Sequence, residues 1–294
     1  MKKEIVKIIF LVFVGVITGF YSSGQADPVK SKATVALASP RGTLFIIGGG
    51  EISDALRGTM LQAGGWKKGD IIAAVTLASG WGDSAYIWMN EAFKKLTGKD
   101  CLRIDSAAVH DPRKLDSLGR ATIIYLGGGD QDRFMKLIKG TAVKQVIAEA
   151  YARGTLIGGS SAGASVMSRE MITGNSKRDT VYSSTFNGIW KDNLELKEGL
   201  GLLDSVIIDQ HFVVRSRYNR MLTAVLEYPR YQCIGINEST AIIIHGGKAT
   251  VAGESQVIVF SDPQQVHTGK NGTLAARKIQ LAVYLAGESF PIKK

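Results

Sequence analysis

Short, unbroken apolar runs repeatedly give way to glycine-rich turns and then to segments with apolar residues every third or fourth position. Leu44-Phe45-Ile46-Ile47 runs into Gly48-Gly49-Gly50-Glu51, and residues 54–64 then place Leu56, Met60 and Leu61 at helical spacing. Ile71–Val75 precedes a helical stretch over 83–96, and Thr122–Leu126 precedes Gly127-Gly128-Gly129 and a helix from Asp132. Strands without polar alternation are covered on both faces, and their alternation with helices predicts an α/β fold built on a mostly parallel sheet.

The pattern changes in the second half. Val206-Ile207-Ile208 and Cys233–Ile236 read as buried strands flanking a helical segment over 217–226. Ala241–Ile244, Ala249–Val251, Val257–Phe260 and the alternating Ile279, Leu281, Val283 and Leu285 predict antiparallel strands at an edge. Residues 173–198 are polar, with aromatic Tyr182, Phe186 and Trp190, and fit a lid better than a core element. No Pro- or Ser-rich linker interrupts residues 25–294, which read as one domain.

The chain start is different in kind. Lys2, Lys3 and Lys7 precede an apolar run over 8–20, and small and polar residues follow at Ser22-Ser23-Gly24-Gln25-Ala26. This order predicts a secretory signal peptide over 1–24 and a periplasmic or secreted product that leaves the membrane on cleavage. Removing it lowers the net charge from +10 to about +8. A basic surface suits an acidic partner, but no Lys/Arg tract with interleaved aromatics points to nucleic acid. Cys101 and Cys233 lie in apolar contexts without metal-ligand spacing and read as buried thiols.

Gly159-Ser160-Ser161-Ala162-Gly163 carries the sharpest chemical signal, because it follows the strand Thr155-Leu156-Ile157 and opens an Ala-rich helix. The G-x-S-x-G spacing lets a serine stand on a tight strand-to-helix turn, although a phosphate loop or a helix cap fits the pentapeptide too. A nucleophile needs a base, and of His110, His211, His245 and His267 only His211 follows a strand at the end where the glycine turns gather. Glu238, at the end of another strand, is the preferred orienter of the imidazole; Asp209, two residues before the histidine, is its rival. Oxyanion stabilisation falls to the backbone N–H of Ala162 and one from Gly128 or Gly129. No metal or organic cofactor is called for.

Gly127-Gly128-Gly129-Asp130-Gln131, Gly159–Ser165, Asp209-Gln210-His211-Phe212 and Gly235–Ala241, in this order, resemble the cyanophycinases, in the serine peptidase family that also holds aspartyl dipeptidase E. The resemblance covers most of the chain from about Leu44. It implies a flavodoxin-like or class I glutamine-amidotransferase-like α/β sandwich, a homodimer, and hydrolysis of cyanophycin, a polyaspartate with arginine on its side-chain carboxyls, to β-aspartyl-arginine. It also implies a Ser161, His211, Glu238 triad and a substrate pocket lined by Gln131, Asp209, Gln210, Arg215, Arg217 and Arg220. Guanidinium forks suit carboxylates, and Asp209 would meet a substrate guanidinium. The alternatives are a dipeptidase of the E type acting on aspartyl or isoaspartyl peptides, and a catalytically silent periplasmic binding protein.

Overall fold

The computed structural model describes residues 42–179 and 181–293; the signal peptide expected over 1–24 lies outside them. Strand β1 (Thr43–Ile47) leads to helix α1 (Asp54–Ala63), β2 (Ile72–Val75), α2 (Gly82–Thr97), β3 (Leu102–Ile104), α3 (Pro112–Gly119), β4 (Ile123–Leu126), α4 (Gln131–Ile138), α5 (Val143–Arg153), β5 (Leu156–Ser160) and the one-turn α6 (Ala162–Ser165). A hairpin of β6 (Glu170–Ser176) and β7 (Leu194–Glu198) follows, then β8 (Val206–Asp209), α7 (Tyr218–Glu227) and β9 (Gln232–Ile236). The remainder is β10 (Thr240–His245), β11 (Lys248–Gly253), β12 (Val257–Gln264), the short pair β13 (His267–Thr268) and β14 (Leu274–Ala275), β15 (Lys278–Tyr284) and β16 (Ser289–Pro291).

The main sheet runs β16-β11-β10-β1-β5-β4-β2-β3. Its strands from β1 to β3 are mutually parallel, and β10 and β11, as the sequence pattern predicts, add antiparallel at one side together with β16, which it does not predict. Alternate residues of β1 enter different layers. Phe45 and Ile47 pack with Leu56 and Met60 of α1 and Phe93 of α2, while Leu44 and Ile46 belong to the core that holds Val143, Ile147 and Ala150 of α5. The helices start where the sequence caps them: Ser53, Asp111 and Asp130 accept backbone N–H bonds at α1, α3 and α4, and Pro112 occupies the first turn of α3.

Sequence pattern did not separate a second sheet, β15-β12-β9-β8, from the first. Ile208, Ile234 and Val259 on one of its faces join the core behind the main sheet; Ile207, Cys233 and Phe260 on the other pack with Met221, Ala224 and Val225 of α7. β8, β9 and the first half of β12 are buried on both faces, so their composition is indistinguishable from that of central parallel strands. In β15 the apolar alternation is real but inverted in meaning, because Leu281 and Val283, with Leu285 just after the strand, are about half exposed. Both cysteines are buried and free.

Candidate active site

Two strands end and a third begins around the carboxyl end of β1, and residues beside them hydrogen-bond to three consecutive carbonyls there. The N–H of Ser161, after β5, donates to Ile47 O at 3.1 Å; that of His211, after β8, to Gly48 O at 2.7 Å; that of Ser239, before β10, to Gly49 O at 2.9 Å. All three residues have positive φ, at 55°, 51° and 55°. Such backbone is costly for non-glycine residues and marks places where surrounding structure dictates direction.

This arrangement brings together the three side chains singled out in the sequence. Ser161 Oγ lies 2.9 Å from His211 Nε2, and His211 Nδ1 lies 2.5 Å from Glu238 Oε1. With Glu238 ionised, Nδ1–H donates to the carboxylate and leaves Nε2 to accept from the serine hydroxyl. Burial of the imidazole outweighs the Glu238 carboxylate beside it and, with the Arg215 guanidinium adding to the effect, holds His211 below its ordinary value of 6.5. The unperturbed value that sequence alone supplies is therefore too high.

The two flanking glycines of the pentapeptide are there for close approach. A Cβ on Gly163 would stand 2.1 Å from Leu126 O, and one on Gly159 would stand 2.3 Å from Gly163 O, so α6 can sit on β4 and β5 only without them. Gly128 faces the serine: a Cβ there would be 3.3 Å from Ser161 Cβ. Gly129 presses on the loop after β2, where a Cβ would meet Ala78 O at 2.2 Å. The N–H of Ala162 opens α6, where no intrahelical acceptor exists for it.

Sequence reasoning placed the turn after Ile47 among the glycine turns that converge on the crevice, but gave Gly48–Gly50 no role beside the base and acid. A Cβ on Gly49 would lie 2.3 Å from His211 Cε1, and one on Gly50 would lie 2.6 Å from Glu238 Cβ. This turn is the wall against which base and acid stand; its glycine triplet was the only available signal.

Beside Ser161 opens a cavity of ≈ 520 Å³, lined among others by Gln131, Tyr182, Gln210, Arg215, Arg217 and Arg220. Tyr182 comes from the loop of the β6–β7 hairpin, the segment read as a lid. Gln131 fastens that hairpin, since its Nε2 donates to Ile172 O at 2.9 Å and Thr173 O at 2.8 Å. Gln210 Oε1 accepts from Arg217 Nη1 at 2.9 Å.

Asp209 sits elsewhere than expected. Its carboxylate is 1% exposed and is taken up by Arg220, through Nε at 2.9 Å and also through Nη2, and by Arg217 Nη1 at 3.3 Å. Burial pushes its carboxyl up, but Arg220 and Arg217 together outweigh burial and hold it below the usual carboxylate range. β8 ends at Asp209, and the positive φ of His211 turns the imidazole away from the rival carboxylate. Asp209 is thus a strut beneath two guanidiniums and has no free edge for a substrate guanidinium. Arg217 and Arg220 are 2% and 1% exposed, which is not the solvated helix start that a charge cluster suggests. Arg217 Nε and Arg220 Nη1 are buried without a protein partner, which leaves N–H donors for a ligand acceptor.

Among the described residues no cluster of His, Cys, Asp or Glu could hold a metal ion. Residues 70–252 match the model of peptidase family S51. The chain is 33% identical over 181 residues to a cyanophycinase of Trichormus variabilis, covering 59% of this chain and 58% of that one, so the match spans little more than half the relative's length. A cyanophycinase of Synechococcus elongatus is 28% identical over 286 residues, covering 92% and 84% of the two chains. Among solved structures, a peptidase from an acI-B1 Actinobacterium superposes with a TM-score of 0.62 at 19% identity, over 86% of this chain and 98% of that one, a likeness of fold. With the family model matched over more than half of its length, the chain belongs to peptidase family S51.

Proposed function

We propose that this protein is an exported serine exopeptidase that hydrolyses cyanophycin to β-aspartyl-arginine dipeptides. The observation that carries the reading is the unbroken relay from Ser161 Oγ through His211 to Glu238 at the mouth of an arginine-lined cavity. His211 Nε2 takes the serine proton as Oγ attacks the main-chain aspartyl carbonyl, and Glu238 stabilises the imidazolium. The N–H of Ala162 and one from Gly128 or Gly129 serve as donors to the developing oxyanion, and each such donor is worth about 3 kcal/mol in the transition state. The imidazolium then protonates the leaving amine. Water, deprotonated by His211, cleaves the ester that remains on Ser161 and restores the hydroxyl.

The cavity's two signs suit this substrate. Arg215, Arg217 and Arg220 offer donors to the carboxylates of arginine and of the chain end, and Asp130, which caps α4 through one carboxylate oxygen, lines the same cavity and suits a guanidinium. The names of the cyanophycinase relatives support the same choice. Export rests on the basic, apolar and small-residue order of the first residues, and the amino-terminal sequence of the mature protein tests it.

Ser161→Ala is expected to lower kcat on cyanophycin by roughly a thousandfold or more with the unfolding midpoint unchanged. Mass spectrometry of the wild-type products should show β-aspartyl-arginine. Retained turnover in the variant, or no release of dipeptide by the wild type, would overturn the assignment.

A further inference from the structure

Helix α2 begins beside the catalytic crevice and turns two indoles to solvent. Trp81, immediately before α2, is 81% exposed, and Trp88 is 71% exposed; Ile87 beside it is 50% exposed. Large aromatic side chains are rarely left this open, and an indole face is the best uncharged partner for a cation.

Their place is tied to the reaction centre by direct contacts. Gly128 stands against Ser161, and Gly129 stands against Ala78 and Ser79. Ser79 Oγ in turn accepts the N–H of Trp81 at 3.0 Å. Trp81 thus stands two residues from the loop that backs the cavity-lining Gly129. Trp88 follows on the same helical stripe about 10 Å further on, seven residues at 1.5 Å each. Glu91, one turn beyond, is exposed and continues that stripe with negative charge. The neighbouring cations are engaged: Lys94 with Asp100 at 2.9 Å, Lys95 with Asp54, and Arg103 with Asp83. The guanidinium of Arg103 already rests 5.3 Å from the ring centroid of Tyr86 on the same helix.

We propose that Trp81 and Trp88 form a docking strip for the guanidinium groups of the polymer, outside the crevice that holds the scissile residue. The inference rests on the functional reading above and deepens it. An extended polyaspartate advances about 3.4 Å per residue, so the indoles are about three residues apart along it. Every residue carries an arginine, and those on one face of the extended chain recur about 7 and 14 Å apart, bracketing the separation of the indoles, with the long arginine side chains spanning the difference. A short peptide filling the crevice would not reach Trp88. The strip thus raises affinity for long chains and leaves the chemistry of a single cleavage alone.

The test compares kcat/KM on cyanophycin and on a two-unit β-aspartyl-arginine peptide for the wild type, Trp81→Ala/Trp88→Ala and Trp81→Phe/Trp88→Phe. The alanine pair should lose about tenfold on the polymer, the sum of two exposed cation–π contacts, and stay within twofold on the short peptide; the phenylalanine pair should recover part of the loss. Equal losses on both substrates, or an unaffected polymer rate, would overturn the proposal. A second arm is independent of turnover: Ser161→Ala protein is captured on beads bearing cyanophycin or polyaspartate without arginine, with and without the indoles. Capture should need both the arginine groups and the indoles. Equal capture on plain polyaspartate refutes the strip, as does a wild-type dimer that the alanine pair abolishes. Should the wild type cleave no cyanophycin, the functional reading falls, and the capture arm still decides the strip.

Discussion

Replacing Asp209 by Asn separates a structural strut from a substrate ligand. In the wild type the carboxylate receives Arg220 Nε at 2.9 Å, Arg217 Nη1 at 3.3 Å and the N–H of Gln210 at 2.8 Å, all out of solvent. Asn keeps the shape but removes the charge and turns N–H groups toward guanidinium N–H groups, leaving two buried cations uncompensated. Breaking a buried pair in this way costs about 3–5 kcal/mol. Against a total stability of about 5–15 kcal/mol this is a large fraction. At about 2–4 °C per kcal/mol for a domain of this size, the melting temperature should fall by about 6–20 °C. Urea denaturation with an unchanged slope measures the same loss isothermally. The folded carboxyl titrates below its free value of 3.8, so its contribution is fully present above that pH and disappears as pH falls through the lower folded value. The gap between wild type and variant should hold between pH 6 and 8 and close in strong acid. An Asn variant within about 1 kcal/mol of the wild type but with raised KM would refute the strut and return Asp209 to the substrate.

Other consequences are as direct. Activity requires neutral His211, whose pKa burial holds below 6.5, so the acid limb of kcat/KM should have its midpoint below that value. Glu238→Gln removes an influence that raises this pKa, so the limb should move lower still as the rate falls; an upward shift would contradict the relay. Gly49→Ala would place a Cβ 2.3 Å from His211 Cε1 at a φ of 103°, and kcat should drop about a hundredfold or more while the protein remains folded, read by circular dichroism beside the rate. Burial pushes the Cys101 thiol up to about 12 and Cys233 higher, so a thiol reagent should stay silent on native protein and count both only after denaturation.

The main sheet was legible because parallel strands covered on both faces leave continuous apolar runs, and Leu44–Ile47, Ile123–Leu126 and the strand before Ser161 are of that kind. The second sheet was not, since Val206–Asp209 and Gln232–Ile236 are equally apolar and nothing local says which layer they join. Leu102–Ile104 was missed for being three residues long, and Val143–Arg153 for lacking a side-chain cap. Ser161, His211 and Glu238 were readable because each ends or follows an apolar strand. Asp209 was expected to meet a substrate guanidinium because the resemblance implies it, and nothing local in the sequence tells that Arg217 and Arg220 occupy its carboxylate. The burial of Arg217 and Arg220 had no sequence signal, since a charge cluster normally marks solvent.

That the three polar side chains meet at all follows from β1, which contributes none of them. Its last carbonyl and the next two, from Ile47, Gly48 and Gly49, receive the N–H groups of Ser161, His211 and Ser239, so each strand end is registered against the same short rail. The rail fixes backbone positions that the intrinsic preferences of serine and histidine would reject, and the cost of three positive-φ residues is offset by hydrogen bonds to the buried carboxyl end of a central strand. A rail lined by side chains would push His211 and Glu238 outward, away from the serine. Glycine at 48–50 therefore belongs to the chemistry as much as to the turn, and a strand-glycine-glycine-glycine signal far from any nucleophile in sequence is where a base and its carboxylate can be sought in folds of this kind.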